Sequence, residues 1–134
     1  MWEAVRKYTG PDERIANNPA FLERMTPWRI NISWALLANR RSCYAGAGYA
    51  APFTTLSPDR IDEIDGLFMR VFAGKGVAAD IRDLATRYQC RVVVLTAEDP
   101  AWADDPFANS AVYKLVEEKP QQWKIYRQLD VPNR

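Results

Sequence analysis

The sequence predicts an α/β fold, in which helices pack on a mixed sheet that ends in a C-terminal antiparallel hairpin. Three observations predict it: a helical apolar stripe after Ser57, a continuous apolar run over 91–96, and two alternating runs near the C-terminus. Helices followed by a buried strand and a hairpin are typical of a sheet with helices on its faces. The length of 134 residues is usual for one domain, so we expect a single soluble domain over 1–134.

The N-terminal third predicts one helix and one strand. Apolar residues spaced three apart indicate a short amphipathic helix over 2–8, which Gly10 and Pro11 end. The segment 14–18 then favours a short strand that stops before a proline. Residues 34–39 are compatible with a helix and with a strand, and both alternatives stay open.

The central part predicts two helices that face the core. Ser57 is a suitable N-cap, and Pro58 fits the first helical position. The first helix ends at Gly74 and Gly76, and a second carries a stripe from Ile81 to Tyr88. We expect the following side chains to be buried between the sheet and these helices: Ile64, Phe68, Ile81, Leu84, Val92 and Val94.

The C-terminal part predicts three strands. The run 91–96 is β-branched and apolar without alternation, which is typical of a strand covered on both faces. The runs 112–117 and 123–127 alternate apolar and polar residues on either side of Pro120. This spacing predicts a terminal antiparallel hairpin.

Composition excludes several function classes. The 18 Lys and Arg residues against 17 Asp and Glu leave a net charge of +1, without the basic excess of nucleic-acid binders, so no nucleic acid is expected as a partner. The chain has no His, which removes Ser-His-Asp and Cys-His catalysis. Cysteines and carboxylates do not cluster as zinc ligands do. Carboxylate pairs remain available, so a stand-alone acid/base enzyme stays a third and least favoured hypothesis, but no residue pair demands it. We therefore predict no catalytic residue, no metal site and no cofactor.

One short segment has the letters of a dinucleotide-binding fingerprint. Gly46 and Gly48 match GxGxxG/A over residues 46–51, but Pro52 follows at once. The fingerprint works only where its glycines open a helix whose N-terminus faces the pyrophosphate. We therefore predict a small-residue loop here and no bound nucleotide.

The loop after the strand 91–96 is the main candidate binding site, because open α/β sheets bind ligands at the carboxyl ends of their strands. A Trp between carboxylates also resembles a platform for a sugar ring. The alternatives are a solvated turn and a Trp folded back on the core. Arg41, beside Arg40, is a candidate for an anion-binding edge or simply a solvated surface residue. The loop candidates are Asp99, Trp102, Asp104 and Asp105.

The two cysteines allow one internal disulfide. Cys43 and Cys90 are the only cysteines in the chain. For a chain of unknown compartment we favour two buried reduced thiols, because free cysteine is among the most buried residue types. An oxidising compartment would favour the bond instead.

Several segments together resemble a known family. They are Tyr8-Thr9-Gly10-Pro11-Asp12-Glu13-Arg14-Ile15, the stretch 34–41, the stretch 88–96 and the hairpin from Tyr113 to Tyr126. In this combination the chain resembles the extracytoplasmic C-terminal domain of a polytopic bacterial GT-C glycosyltransferase of the protein-mannosyltransferase-like type.

The resemblance implies a domain excised from a larger membrane protein, on the periplasmic face of a bacterial inner membrane. Its partners would be the membrane domain of the same polypeptide and a lipid-linked sugar or glycan acceptor. The catalytic acids of such enzymes lie in upstream loops, so none carries over to this chain. The expected role is an accessory domain that positions the acceptor or covers the site. The alternative is an autonomous carbohydrate or small-ligand binding module, which would bind without the rest of the protein.

Overall fold

A computed structural model of the chain describes residues 1–18, 41–44 and 57–129. The elements are α1 (Trp2–Tyr8), β1 (Arg14–Ala16), β2 (Arg41–Ser42), α2 (Pro58–Phe72), α3 (Ala78–Thr86), β3 (Cys90–Thr96), a 3-10 turn (Pro100–Trp102), β4 (Tyr113–Lys119) and β5 (Trp123–Gln128). The sheet order is β2-β1-β3-β5-β4; β1 is parallel to β2 and β3, and β5 is antiparallel to β3 and β4. The predicted mixed sheet with a C-terminal antiparallel hairpin is therefore confirmed.

Two predictions lie outside the described residues: the ambiguous segment 34–39 and the glycine-containing loop 46–51. In the described ranges, no helix is both long and apolar enough to cross a membrane.

The helix boundaries follow from local chemistry. The Ser57 hydroxyl accepts a hydrogen bond from the Arg60 amide at 3.3 Å, as an N-cap does, so the predicted start of α2 is confirmed. Gly74, just after α2, has a φ of +79°, a left-handed conformation that favours glycine. The second helix is shorter than predicted: α3 ends at Thr86, and Tyr88 lies in the turn before β3.

The sheet buries side chains on both faces. The larger core lies between the sheet and the helices α2 and α3, and it includes Phe68, Ile81 and Leu84 as predicted. Val92 and Val94 are also buried, but on the opposite face, where they pack with α1. The reason is the alternation of side chains along β3, which turns Val93 and Leu95, rather than Val92 and Val94, toward α2 and α3. Ile64 is only partly buried, so its predicted burial is wrong.

A clamp joins the N-terminal part of the chain to the last strand. The Arg127 guanidinium donates to both carboxylate oxygens of Glu13, at 2.9 and 3.0 Å, and to the Tyr8 carbonyl at 2.8 Å. Glu13 also accepts from the Gly10 amide at 2.7 Å. The hydrogen bonds from Arg127 lower the pKa of Glu13, and partial burial opposes them. The turn between α1 and β1 is thereby fixed to β5.

The strand directions define two opposite edges of the sheet. The parallel strands β1, β2 and β3 end at one edge, which we call the carboxyl edge; the antiparallel β5 begins there, since Trp123 pairs with Thr96. At the other edge, the amino edge, β1 begins with Arg14 and β3 with Cys90. The two edges differ in their chemistry.

Candidate functional site

The carboxyl edge contains the position where α/β sheets usually bind ligands. From β1 the chain continues to β2 on one side, and from β3 it continues to β4 and β5 on the other. The neighbouring ends of β1 and β3 therefore form a topological switch point. Here Asn18, after β1, donates from Nδ2 to Oδ1 of Asp99, after β3, at 3.0 Å. The two strand ends are thus tied to each other.

The Asp99 side chain is buried and hydrogen-bonded within the protein. It is 5% exposed, and its Oδ2 accepts from the Thr96 amide at 2.8 Å. Burial raises the pKa of Asp99, and the hydrogen bonds from Thr96 and Asn18 oppose this. The candidate Asp99 is therefore buried, because its carboxylate turns inward to accept hydrogen bonds from Asn18 and Thr96.

Asp105 holds the loop on the last strand. Its Oδ1 accepts from the Phe107 amide at 2.8 Å, while Oδ2 accepts from the Tyr126 hydroxyl and, at 3.4 Å, from Nζ of Lys124. The Asp105 side chain is 6% exposed. Burial raises the pKa of the Tyr126 hydroxyl, and the hydrogen bond to Asp105 adds to the effect. Asp105 therefore has three internal partners.

Trp102 is partly buried and packs against the core formed with α2 and α3. The Lys124 ammonium lies 4.7 Å from the centroid of its ring, as in a cation–π contact. The core and Lys124 therefore occupy part of the surface of the Trp102 ring. Asp104 is exposed, unlike Asp99 and Asp105.

These contacts limit the chemistry of the carboxyl edge. Among the described residues, no group of three or more His, Cys, Asp or Glu side chains is arranged to hold a metal ion. A phosphate cradle needs amides and glycines after the first strand, but β1 is followed by Asn17 and Asn18, and Asp99 places a carboxylate beside them. In the described part of this edge, Asp99 and Asp105 are held by internal hydrogen bonds.

The structure joins Cys43 and Cys90 in a disulfide, with the two Cα atoms 5.7 Å apart. The favoured interpretation of the sequence, two reduced thiols, is therefore not what the structure contains. Cys43 directly follows β2 and Cys90 begins β3, and both strands flank the short β1. This topology brings together two cysteines that are far apart in the chain.

A cavity at the amino edge has no counterpart among the sites predicted from the sequence. Arg14, at the start of β1, and Arg60, in the first turn of α2, line a cavity of about 250 Å³ together with Cys43, Ile64 and Tyr88. No local motif joins residues that lie on separate elements. The candidate Arg41 begins β2 as the register partner of Arg14, which places it at the same edge.

A second cavity, of about 380 Å³, lies between α3 and the loop before β4. Its walls are mostly apolar, and Arg82 is the one charged residue among those that line it.

Comparisons with known proteins assign the chain to a family. The family described as "Y4nK C-terminal Rossmann-like domain" matches residues 1–127. The chain is also similar to "Uncharacterized protein y4nK" of Sinorhizobium fredii (strain NBRC 101917 / NGR234), with 41% identity over 128 residues. This match covers 95% of the chain but only 19% of the relative, so the chain spans about a fifth of that protein's length. No solved structure matches the chain. The chain therefore belongs to the family of Y4nK C-terminal Rossmann-like domains.

Proposed function

We propose that the chain is a non-catalytic accessory domain of a larger, membrane-bound glycosyltransferase that uses a lipid-linked sugar donor. In this proposal the domain lies on the extracytoplasmic side of the membrane and positions the acceptor or covers the donor site. The remainder of the longer polypeptide supplies the catalytic groups.

The observation that carries the non-catalytic role is that Asp99 and Asp105, in the described part of the carboxyl edge, are held by hydrogen bonds within the protein. A Rossmann-like enzyme uses this edge to bind substrate or cofactor. Here Asp99 is bound by Asn18 and Thr96, and Asp105 by Lys124 and Tyr126. Carboxylates with this many internal donors stabilise the loop and are not available as a general acid and base.

The extracytoplasmic location is supported by the disulfide between Cys43 and Cys90. Structural disulfides persist in oxidising compartments such as the bacterial periplasm and are rare in the cytosol. The accessory role is supported by the share of the relative that the chain covers, 19%, and by the family's description as a C-terminal domain.

The link to a glycosyltransferase rests on the sequence resemblance. The segment from Tyr8 to Ile15 spans the end of α1, a turn and the first part of β1. The stretch 88–96 leads into and forms β3, and Tyr113 to Tyr126 lie in the terminal hairpin. Most of the stretch 34–41 lies outside the described residues.

The alternative, an autonomous carbohydrate-binding module, depended on an exposed Trp102 between free carboxylates. Trp102 is partly buried beneath Lys124, and Asp105 faces inward. The geometry therefore favours the accessory role.

The test is a sugar-transfer assay in membrane vesicles from cells that express the full-length parent protein. Three samples are compared: the intact parent, the parent without this domain, and the isolated chain with lipid-linked donor and acceptor. We expect transfer by the intact parent, a large loss on deletion and no turnover by the isolated chain.

A point variant of the full-length parent serves as a control for the deletion. Asp104→Asn changes an exposed residue of the loop after β3, and the parent with this change should retain transfer. Thiol alkylation of the parent before and after reduction should find the two cysteines protected until reduction. Turnover by the isolated chain, or cysteines that react without reduction, would refute the proposal.

A further inference from the structure

We infer that the cavity at the amino edge binds a small organic anion, a phosphate monoester or carboxylate attached to a flat apolar body. This inference stands on the cavity's own geometry and does not depend on the proposed function. We call the cavity, lined by Arg14, Cys43, Ile64, Arg60 and Tyr88, the arginine cavity.

The cavity combines a cationic part and an apolar part. The guanidinium-bearing residues Arg14 and Arg60 come from β1 and α2 respectively. The disulfide-bonded Cys43, together with Ile64 and Tyr88, supplies the less polar walls, and all three are partly buried. A cavity of this kind is suited to a ligand with a charged head and an apolar body.

No ion pair joins either of the two arginines to an acidic side chain within the described residues. Ion pairs neutralise Arg70 through Asp80, at 3.1 Å, and Arg127 through Glu13, at 2.9 Å. Among the described residues that line the arginine cavity there is no carboxylate. Two like charges that face one cavity repel each other, and a bound anion removes this repulsion.

The surroundings of the cavity do not supply that anion. Arg87 lies 5.4 Å from the centroid of the Tyr88 ring but is paired with Glu63 at 3.1 Å, so this pair adds no net charge. The Asp65 carboxylate accepts from the Tyr44 hydroxyl at 2.6 Å. Among the described residues that line the cavity, Arg14 and Arg60 carry the only charges.

The chemistry of arginine narrows the ligand class. The planar guanidinium donates two parallel hydrogen bonds to phosphate or carboxylate oxygens. The volume of about 250 Å³ is slightly below the range of about 300–1,000 Å³ for drug-sized ligands, so it fits a head group with one ring rather than a dinucleotide.

Titration of the chain followed by two-dimensional amide NMR tests the inference. The probes are phenyl phosphate, benzoate and the neutral control benzyl alcohol. We expect saturable shifts of the amides of Arg14, Arg60, Ile64 and Tyr88 with at least one of the two anions. Whichever of phenyl phosphate and benzoate binds more tightly identifies the preferred head group. The affinity for that anion should fall as salt is added.

Arg14→Gln and Arg60→Gln should each weaken binding by about tenfold or more, as expected for loss of a charge-assisted hydrogen bond. Arg82→Gln is the matched control: Arg82 is exposed, has no ion pair among the described residues and lines the other cavity. It should leave the affinity unchanged. If either glutamine variant unfolds, Arg14→Lys and Arg60→Lys replace it, since lysine keeps the charge but loses the paired donors.

Four outcomes would overturn the inference. They are the absence of saturable binding by both anions, equal binding of benzyl alcohol, equal weakening by Arg82→Gln, and shifts that arise from self-association when light scattering is measured in parallel.

Discussion

The charged residues at the two edges of the sheet differ in burial and in hydrogen bonding. At the carboxyl edge, Asp99 and Asp105 are almost fully buried and accept hydrogen bonds from neighbouring strands and loops. At the amino edge, Arg14 and Arg60 are exposed beside a cavity that has no carboxylate among its described lining residues. The difference indicates that the usual ligand edge of this Rossmann-like domain contributes to stability, while the opposite edge has the chemistry of a binding surface.

The largest expected effect comes from the core that supports both edges. Phe68 is 0% exposed, and its ring packs against Tyr44 and Phe72 at centroid distances of 5.2 and 6.0 Å. Phe68→Ala should lower the free energy of unfolding by about 3–5 kcal/mol, because it leaves a cavity. Chemical denaturation measures the loss. Its neighbour Met69, 47% exposed, is the control, and Met69→Ala should cost far less. Equal losses would show that the face of α2 is wrongly assigned.

The next largest effect is expected from loss of the disulfide, whose Cys43 lines the arginine cavity. Replacing Cys43 and Cys90 together by Ala should lower the free energy of unfolding by about 2–4 kcal/mol, since the bond constrains the unfolded chain. Urea unfolding of the oxidised chain, the reduced chain and the double variant gives the comparison. The reduced chain should behave as the variant does. An oxidised chain no more stable than its reduced form would contradict a structural disulfide.

The smallest effect is a pH dependence at the carboxyl edge. Burial raises the pKa of Asp99 above its ordinary value of 3.8, so above pH 3.8 the folded chain binds more protons here than the unfolded chain. The stability contributed by this shift is complete below pH 3.8 and is lost as the pH rises through the raised pKa.

Asp99→Asn removes this titration, while Glu13, which is paired with Arg127, titrates in both proteins. The free energy of unfolding of the wild type minus that of the variant should therefore decrease as the pH rises from 3.8, and then become constant. Denaturant unfolding between pH 3 and 7 measures the difference. A difference that increases over this range would place Asp99 in a site that favours its charged form.

The fold was predictable where local patterns agree with tertiary structure. Ser57 and Pro58 mark the start of α2 by capping chemistry alone. The alternating runs on either side of Pro120 mark β4 and β5. By contrast, β3 is apolar on both faces, so its sequence cannot tell which of Val92 and Val93 faces α2 and α3.

The position of the candidate loop was predictable from the sequence, but the burial and hydrogen bonding of its side chains were not. The loop follows β3 and lies at the carboxyl edge, as the order of elements predicted. The Asp99 carboxylate is held partly by Asn18, which follows a different strand. The dipeptide Asp99-Pro100 by itself is equally typical of an exposed turn, so the sequence does not predict this burial. Arg14 and Arg60 were missed for the same reason, because only the packing of α2 on the sheet brings them to one cavity.

The most direct test of the difference between the edges is the change in free energy of unfolding for Asp105→Ala compared with that for Arg60→Gln. Asp105→Ala should cost about 1–3 kcal/mol, because it removes the acceptor for Tyr126 and Lys124 and leaves buried donors without a partner. Arg60→Gln should leave the free energy of unfolding unchanged within error, because Arg60 is exposed and unpaired in the described part of the chain. If Arg60→Gln were the more destabilising change and Asp105→Ala nearly neutral, the carboxyl edge would not be closed as the structure indicates.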